Sequence, residues 1–532
     1  MPLGLGSGEE LLVLTDAQLS PAVLQERAWE PGPPGTRPRL AQVQHQTVEV
    51  VANLSWGKAL AGSQSHLGLP ARFTLRAAGP AGHEGARAVH VAAAAELTER
   101  ALQWHRSAAF GEESLGLAVL AGDYCLAQAA QALSRYANLE VEAAFGDGLA
   151  AAGFELARSG SAEWAARQIL PACGLAGANA ARTAGARQAT WWRVGRRLAG
   201  SAYRSAVRPE PENLAQLLGE ADPIEHQLGW ILAADPALVA APMARMQSAG
   251  GKRIRARLVL LACELGPVYP PDAALRCAAA MELLHAATLC HDDVVDGAAS
   301  RRGAPTVAAL AGPLVALGVG DHYLGRSAAL VARLGDFKIS RSVSNALVEI
   351  ADGQLRELDR RSVWSGELAP YIQVAQGKTG ALLAACAIAG ARIGQASREH
   401  REAVTRFARK LGLAFQGIDD CLDFSDPERT GKPRGTDLLQ GICGLPVLCA
   451  LRGPQRKAVR ERLDAMASAD VEETLTLSDQ VVTLVRESGA LATARSLADR
   501  WSMEAVSCLA PLAAQPRARL ERFADQLTLR DS

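Results

Sequence analysis

Three aspartates, Asp292, Asp293 and Asp296, stand at i, i+1 and i+4 in the stretch Met281 to Val307, beside two histidines, His285 and His291, and the pair Arg301-Arg302. On a helix Asp292 and Asp296 share one face and Asp293 lies next to them. Carboxylates this close repel one another, so a cation is expected among them. Carboxylate oxygen is the ligand a hard divalent ion takes while keeping sites for water and phosphate, which points to Mg²⁺ and a diphosphate. The Arg pair supplies planar forks for the same phosphates. A second set, Asp419, Asp420 and Asp423, repeats the spacing and is followed by Lys432 in a Gly/Pro loop. One such triplet on a helix is commonly a solvated face; two, each trailed by basic residues, are hard to explain that way. A third stretch, Gly250 to Arg255 (GGKRIR), feeds Lys252 and Arg255 into a helix start after a tight glycine turn. Glycines there allow close backbone approach, and a cationic helix start suits a diphosphate, although a basic helix start by itself is usually only solvated.

The elements that must carry these residues are helices. The 532 residues are rich in Ala and Leu, with 5% aromatics, and their long periodic apolar segments lack β-branched runs or regularly spaced turn signals. An all-α protein of two domains is expected, because the chain is long for a single core. A formal charge of zero and a pI near 7.1 give no global reason for nucleic acid or an anionic membrane as partner. The ten cysteines contain no CxxC pair, which fits buried reduced thiols better than a disulfide frame or zinc site. The opening MPLGLGSGEELLVLTDA is acidic with a short apolar run, so no secretory signal is expected. The longest weakly polar stretches, around Val307 to Gly320 and Ala381 to Ala391, are too short to span a bilayer, so no transmembrane segment and a cytoplasmic location are expected. Trp191-Trp192 with Arg193, Arg196 and Arg197 reads as a packed helix with a solvated face.

Punctuation divides the chain. Residues 1–40 end in the Pro/Gly-rich run Pro31 to Pro38 and read as an extension, and Val207 to Asn213 (VRPEPEN) closes an Ala-rich helical segment, 41–207, ahead of 208–532. Ala95 to His105 (AELTERALQWH) lies on Met281 to His291 (MELLHAATLCH), with Arg106, Ser107 and Phe110 where the later copy has its aspartates. The stretch from Leu120 follows the plan of that from Gly318, with Asp123 opposite Asp321, and Val194 to Tyr203 resembles Phe407 to Gln416. The spacing between the first two blocks is twelve residues shorter in the first copy. The first 200 residues thus read as a truncated, acid-free copy of the later domain.

From about residue 215 to 527 the chain resembles the trans-isoprenyl (polyprenyl) diphosphate synthases, through GGKRIR, HDDVVD with RRGAPT, GKTG at Gly377 to Gly380, and FQGIDDCLDF with GKPRGTDL. The resemblance implies an isoprenoid-synthase-type all-α bundle around a central cavity. It implies that Asp292, Asp296, Asp419 and Asp423, with Asp293 and Asp420 close by, hold Mg²⁺ on the diphosphate of an allylic substrate. It assigns Lys252, Arg255, His285 and Arg302 to isopentenyl diphosphate, and Arg301, Lys378, Thr379, Gln416 and Lys432 to the allylic diphosphate. Large aromatics shortly before the first aspartates close the cavity in that family. The small Ala287 and Thr288 here imply a product longer than fifteen carbons. Two positions depart from the pattern: Ala256 replaces a usual Pro, and Ile442 replaces a Lys that helps hold the diphosphate.

A class I terpene synthase-like enzyme that ionises and cyclises a prenyl diphosphate is an alternative; intact Lys252, Arg255 and His285 speak against it, because a cyclase needs no second diphosphate site. A non-catalytic prenyl-diphosphate-binding partner subunit is another, opposed by six intact aspartates. The acid-free copy is expected to be non-catalytic, and the protein to be a homodimer or an intramolecular pseudo-dimer.

Overall fold

The structure, a computed structural model, describes residues 71, 74, 85–110, 115–136, 138–180, 192–193, 195–196, 199, 223–248, 251–424, 434–466 and 468–528. The extension 1–40, the VRPEPEN segment, Trp191, Gly250, Lys432 and most of Val194 to Tyr203 lie outside them. Among the described residues the regular structure is helical apart from one two-stranded ladder. They form two compact units, one of residues up to Ala256 with Pro271–Asn345, the other of Arg257–Pro270 with Ala346–Ser532.

In the first unit the helices used below are α1 (Gly85–Phe110), α2 (Leu115–Tyr136), α3 (Leu139–Ser159), α4 (Pro223–Ala233), α5 (Ala237–Ser248), α6 (Pro271–Val295) and α7 (Pro313–Ala332). Helix α3 is delimited by sequence: the Asn138 side chain accepts from Val141 N at 3.0 Å, and Gly160 ends it with φ +69°. Helices α1 and α2 pack on one another, α6 packs on α7, and α3 lies along α7. The last pairing runs through four glycines. A Cβ on Gly153 would stand 2.5 Å from Gly318 O, and one on Gly325 would stand 2.6 Å from Gly146 O. The backbones therefore touch directly, and His322 Nδ1 lies 2.7 Å from Ala150 O across the same seam.

At the centre of this unit His105, Asp123, His291 and Asp321 form one cluster. Burial disfavours a charge on His105, but the carboxylates of Asp321 and Asp123 outweigh it and raise its pKa to about 10.

The second unit contains α8 (Leu368–Ala375), a π-helical turn at Gln376–Gly380, α9 (Ala381–Ile393), α10 (Arg398–Leu422), α11 (Val471–Glu487), α12 (Ala490–Ser507) and α13 (Ala514–Thr528). The Ser397 hydroxyl caps α10 by accepting from His400 N at 3.1 Å, and α10 buries Phe407, Leu411 and Ile418. Gly417 admits the Trp501 ring of α12 to 3.3 Å from the place of its missing Cβ.

All ten cysteines are free thiols, seven of them buried. Two helical segments, Pro271–Val295 and Leu368–Ile393, are long and apolar enough by composition to cross a bilayer, longer than the stretches singled out from sequence, and 72% of each such window is buried in the protein's own packing. Trp192, Arg193 and Arg196 are exposed, with the Arg196 guanidinium 4.8 Å from the Trp192 ring centre.

Candidate active site

The first aspartates end a helix. α6 stops at Val295, Asp296 N bonds Asp292 O at 2.8 Å, and Gly297 turns the chain away at φ +60°. A helix C-terminus carries partial negative charge, so three carboxylates there destabilise the element unless a cation joins them. Asp292 is half-buried and Asp296 exposed. Asp293 is buried and has a defined partner: Arg301 Nε donates to its Oδ1 at 2.8 Å and Nη2 lies at 2.7 Å. Burial raises the Asp293 pKa, and Arg301 opposes the rise. Asp293 thus fixes Arg301, while Asp292 and Asp296 form the open edge of the ledge.

Arg301 and Arg302 sit in a hairpin that pairs Ser300 with Pro305 and Arg301 with Ala304. Its turn residues both have positive φ, Arg302 at 53° and Gly303 at 76°, the geometry that matches strand twist in a two-residue turn. Such a φ costs a non-glycine residue about 1–2 kcal/mol, and here it aims Arg302 at the glycine turn: a Cβ on Gly251 would lie 2.7 Å from Arg302 Nη1. His285 is held neutral, its pKa well below the usual value through burial and the cations Arg255, Arg302, Arg301 and Arg253. The charges of Arg255, Arg301 and Arg302 thus all act against protonation of one imidazole, and Lys252 is exposed at the start of the same turn. The remaining cation of GGKRIR is structural: Arg253 is bound by the Glu225 carboxylate of α4 and by Gln247 of α5. The Ala256 departure has a physical basis, because Ala256 N donates to the buried Glu282 Oε1 at 3.0 Å, a bond that proline cannot make.

The second set lies at the end of α10, in the other unit. Asp419 is exposed. Asp420 is buried, and its carboxylate accepts from Tyr371 OH at 2.7 Å, Gln416 Nε2 at 2.9 Å and Leu445 N at 2.9 Å. Burial raises its pKa to about 6 against these three donors. Thr379 Oγ1 lies 3.0 Å from Gln416 Oε1, so Thr379, Gln416 and Asp420 form one chain of hydrogen bonds. Asp423 accepts from Thr436 N at 3.1 Å and Asp437 N at 3.2 Å, which folds the segment after the motif back onto the helix end. Lys378 and Thr379 stand in the π-turn, a distortion frequent at functional sites, and Lys378 Nζ is paired with Glu357. Ile442, half-buried, bonds through its backbone to Asp437 O at 2.8 Å.

Sequence reasoning missed Tyr371, Glu357 and Asp437. The Asp437 pKa is raised well above its usual value by burial and by Asp420, Asp423 and Glu357, with Lys378 opposing. Its place in GKPRGTDL was the available signal; nothing local marks Tyr371 or Glu357.

A family model described as polyprenyl synthetase matches residues 236–481. The nonaprenyl diphosphate synthase of Mycobacterium tuberculosis is 35% identical over 275 residues, 51% of this chain and 80% of that protein. Heptaprenyl diphosphate synthase component 2 of Bacillus subtilis is 32% identical over 299 residues, 56% of this chain and 83% of its own. Among solved structures, a polyprenyl synthase from Caulobacter crescentus complexed with calcium and isoprenyl diphosphate matches with a TM-score of 0.54 at 31% identity, over 58% of this chain and 94% of that one. With relatives at this identity matched over four-fifths of their own length, the chain belongs to the polyprenyl synthetase family and is a prenyltransferase.

Proposed function

We propose that the chain condenses isopentenyl diphosphate with an allylic diphosphate in a Mg²⁺-dependent reaction, giving a polyprenyl diphosphate longer than fifteen carbons. The observation that carries this reading is the end of α6, where carboxylates crowd a helix C-terminus, with Arg301 bound to Asp293 and Arg302 aimed at the glycine turn in the same unit. Carboxylates at the negative end of a helix suit a hard divalent ion, so the donor set fits Mg²⁺. Asp292 and Asp296 in the first unit, and Asp419 and Asp423 in the second, are the carboxylates that the family resemblance assigns to the metal, and bound Mg²⁺ would neutralise charge on the departing diphosphate.

The chain's own groups do the rest. Lys252, Arg255, His285 and Arg302 bind isopentenyl diphosphate, with His285 neutral and so able both to donate and to accept a hydrogen bond. By the family resemblance, Arg301, oriented by Asp293, and Lys378, Thr379, Gln416 and Lys432 are the residues assigned to the allylic diphosphate. Binding there requires Lys378 to turn from Glu357 towards phosphate. The C–O bond of the allylic diphosphate breaks, the double bond of isopentenyl diphosphate attacks the allylic carbon, a proton is lost, and the chain is five carbons longer. Fixed cations stabilise the charge that develops on the leaving group. The small, buried Ala287 and half-buried Thr288 support a long product, in line with the heptaprenyl and nonaprenyl names of the relatives.

The test is incubation with Mg²⁺, isopentenyl diphosphate and, in turn, dimethylallyl, geranyl, farnesyl and geranylgeranyl diphosphates, with product mass measured before and after phosphatase. Products differing by five carbons that still carry diphosphate are expected. A cyclic hydrocarbon formed without isopentenyl diphosphate would overturn the reading.

A further inference from the structure

The cluster of His105, Asp123, His291 and Asp321 maps onto itself when the two copies of the repeat are exchanged. His105 Nδ1 bonds Asp321 Oδ2 at 3.0 Å, and His291 Nδ1 bonds Asp123 Oδ1 at 2.5 Å, so each imidazole holds a carboxylate of the other copy. Each second ring nitrogen faces the carboxylate of its own copy: His105 Nε2 is 3.5 Å from Asp123 Oδ1, and His291 Nε2 is 3.7 Å from Asp321 Oδ1. The rings meet edge to face with centres 4.9 Å apart. Even the floor is shared in kind, since a Cβ on Gly122 would stand 2.2 Å from His105 Nε2, and one on Gly320 would stand 2.2 Å from His291 Nε2. His105 and Asp321 are wholly buried. The twelve-residue difference in spacing between the copies does not disturb the match, because it lies between the two helices that contribute to it.

His291 precedes Asp292 by one peptide bond. Its ring is gripped on one side by Asp123 of α2 and on the other by the carbonyl of Leu317, 3.2 Å from Nε2. The end of α6, which leads into Asp292 and Asp296, is therefore held by Asp123 of the first copy, the copy that lacks the aspartate triplet.

We propose that Asp123 is a positioning residue for the first metal-binding ledge, and that the N-terminal copy, although it lacks the aspartate triplet, is kept because it supplies this grip from within the chain. This rests on the reading of Asp292 and Asp296 as metal ligands. Displacing reacting groups by about 1 Å through a remote change costs on the order of 10²-fold in rate, and partners outside a metal's ligand shell are worth about 10- to 100-fold in affinity. A bridging zinc is a poorer account of the cluster, because 2.5 Å between His291 Nδ1 and Asp123 Oδ1 is a hydrogen-bond distance.

The test uses the full chain with Mn²⁺ and inorganic diphosphate as probes, so it does not depend on turnover. Mn²⁺ binding in the presence of diphosphate is titrated for the wild type, Asp123→Asn and Asp123→Glu, alongside their melting temperatures and, where turnover is present, the Mg²⁺ dependence of kcat. Asp123→Asn is expected to weaken Mn²⁺ binding about 10-fold and to shift the Mg²⁺ activation curve to the right. Asp123→Glu keeps the charge and is expected to restore part of the loss. If Asp123→Asn does not fold, Asp123→Glu is expected to show weaker binding than the wild type by itself. Lower melting temperatures with unchanged Mn²⁺ binding would reduce the cluster to a structural clasp and overturn the proposal. One tightly held equivalent of zinc per chain, lost in Asp123→Asn, would overturn it as well. Absence of wild-type turnover with normal, Asp123-dependent Mn²⁺ binding would overturn the proposed reaction and leave the positioning role standing.

Discussion

Replacing Gly153 by alanine inserts one methyl group into the glycine seam between α3 and α7. Its Cβ would lie 2.3 Å from His322 N, 2.5 Å from Gly318 O and 2.9 Å from the carbonyl carbon of Asp321, all backbone atoms that cannot swing aside. Carbon contacts settle near 3.5–4.0 Å, so the two helices must part by roughly 1 Å. That separation breaks the 2.7 Å bond between His322 and Ala150 O, worth about 1 kcal/mol, and adds an overpacking cost of about 1–3 kcal/mol. The higher helix propensity of alanine returns about 1 kcal/mol. The net expectation is a loss of about 1–3 kcal/mol, or roughly 2–12 °C in melting temperature for a unit of this size. Gly229 in α4 is the matched control, exposed with nothing within 4 Å of its missing Cβ. Gly229→Ala should gain the propensity alone, about 0.5–1 kcal/mol. Scanning calorimetry of the three full-length proteins separates the cases. A Gly153→Ala protein that melts at or above the wild type would refute the backbone contact between α3 and α7.

Ala256→Pro, which restores the residue the family resemblance leads one to expect, should destabilise by about 1–3 kcal/mol because it orphans the buried Glu282 carboxylate; chemical denaturation that shows a gain in stability would contradict this. Asp420→Asn places an NH₂ against donors that now converge on a carboxylate, Tyr371 OH, Gln416 Nε2 and Leu445 N, with a cost of about 1–3 kcal/mol, read as a lower melting temperature together with reduced kcat. Ala287→Phe should shorten the product by at least one five-carbon unit, measured by chromatography of the dephosphorylated alcohols. Chelation of divalent ions by EDTA should abolish turnover while leaving the far-ultraviolet circular dichroism unchanged, since the helices close on their own cores; loss of helical signal would show that the ion is structural.

Much of the site was legible because its signals are local. Helical period alone puts Asp292 and Asp296 on one face, and two glycines before a basic run mark a turn. The chain could be read as all-α, and the family of its stretch from about residue 215 to 527 recognised from the same short motifs. What each aspartate does was not legible, since within each triplet the three residues are of one type. Asp293 is bound to Arg301, Asp420 to three donors and Asp423 to two backbone amides; Asp292 is half-buried, and Asp296 and Asp419 are exposed. Tyr371 and Glu357 carry no local mark and join the site only because packing delivers them.

The amino-acid sequence by itself determined the helices, the caps that end them and the residue types of both acidic sets, because these depend on neighbours three or four positions away. Tertiary structure decided which cations surround His285, why Arg253 differs from Arg255, and that Ala256 needs its amide hydrogen. It also decided the partnership of His105 and Asp123 with His291 and Asp321. Matching the two stretches in sequence sets Asp123 opposite Asp321, but only the packing of α1 and α2 with α6 and α7 brings all four side chains within hydrogen-bond or ion-pair distance. Burial of His105, His291 and Asp321 then makes the difference, because a carboxylate and an imidazole that water would screen at a surface hold each other more firmly where water is largely excluded.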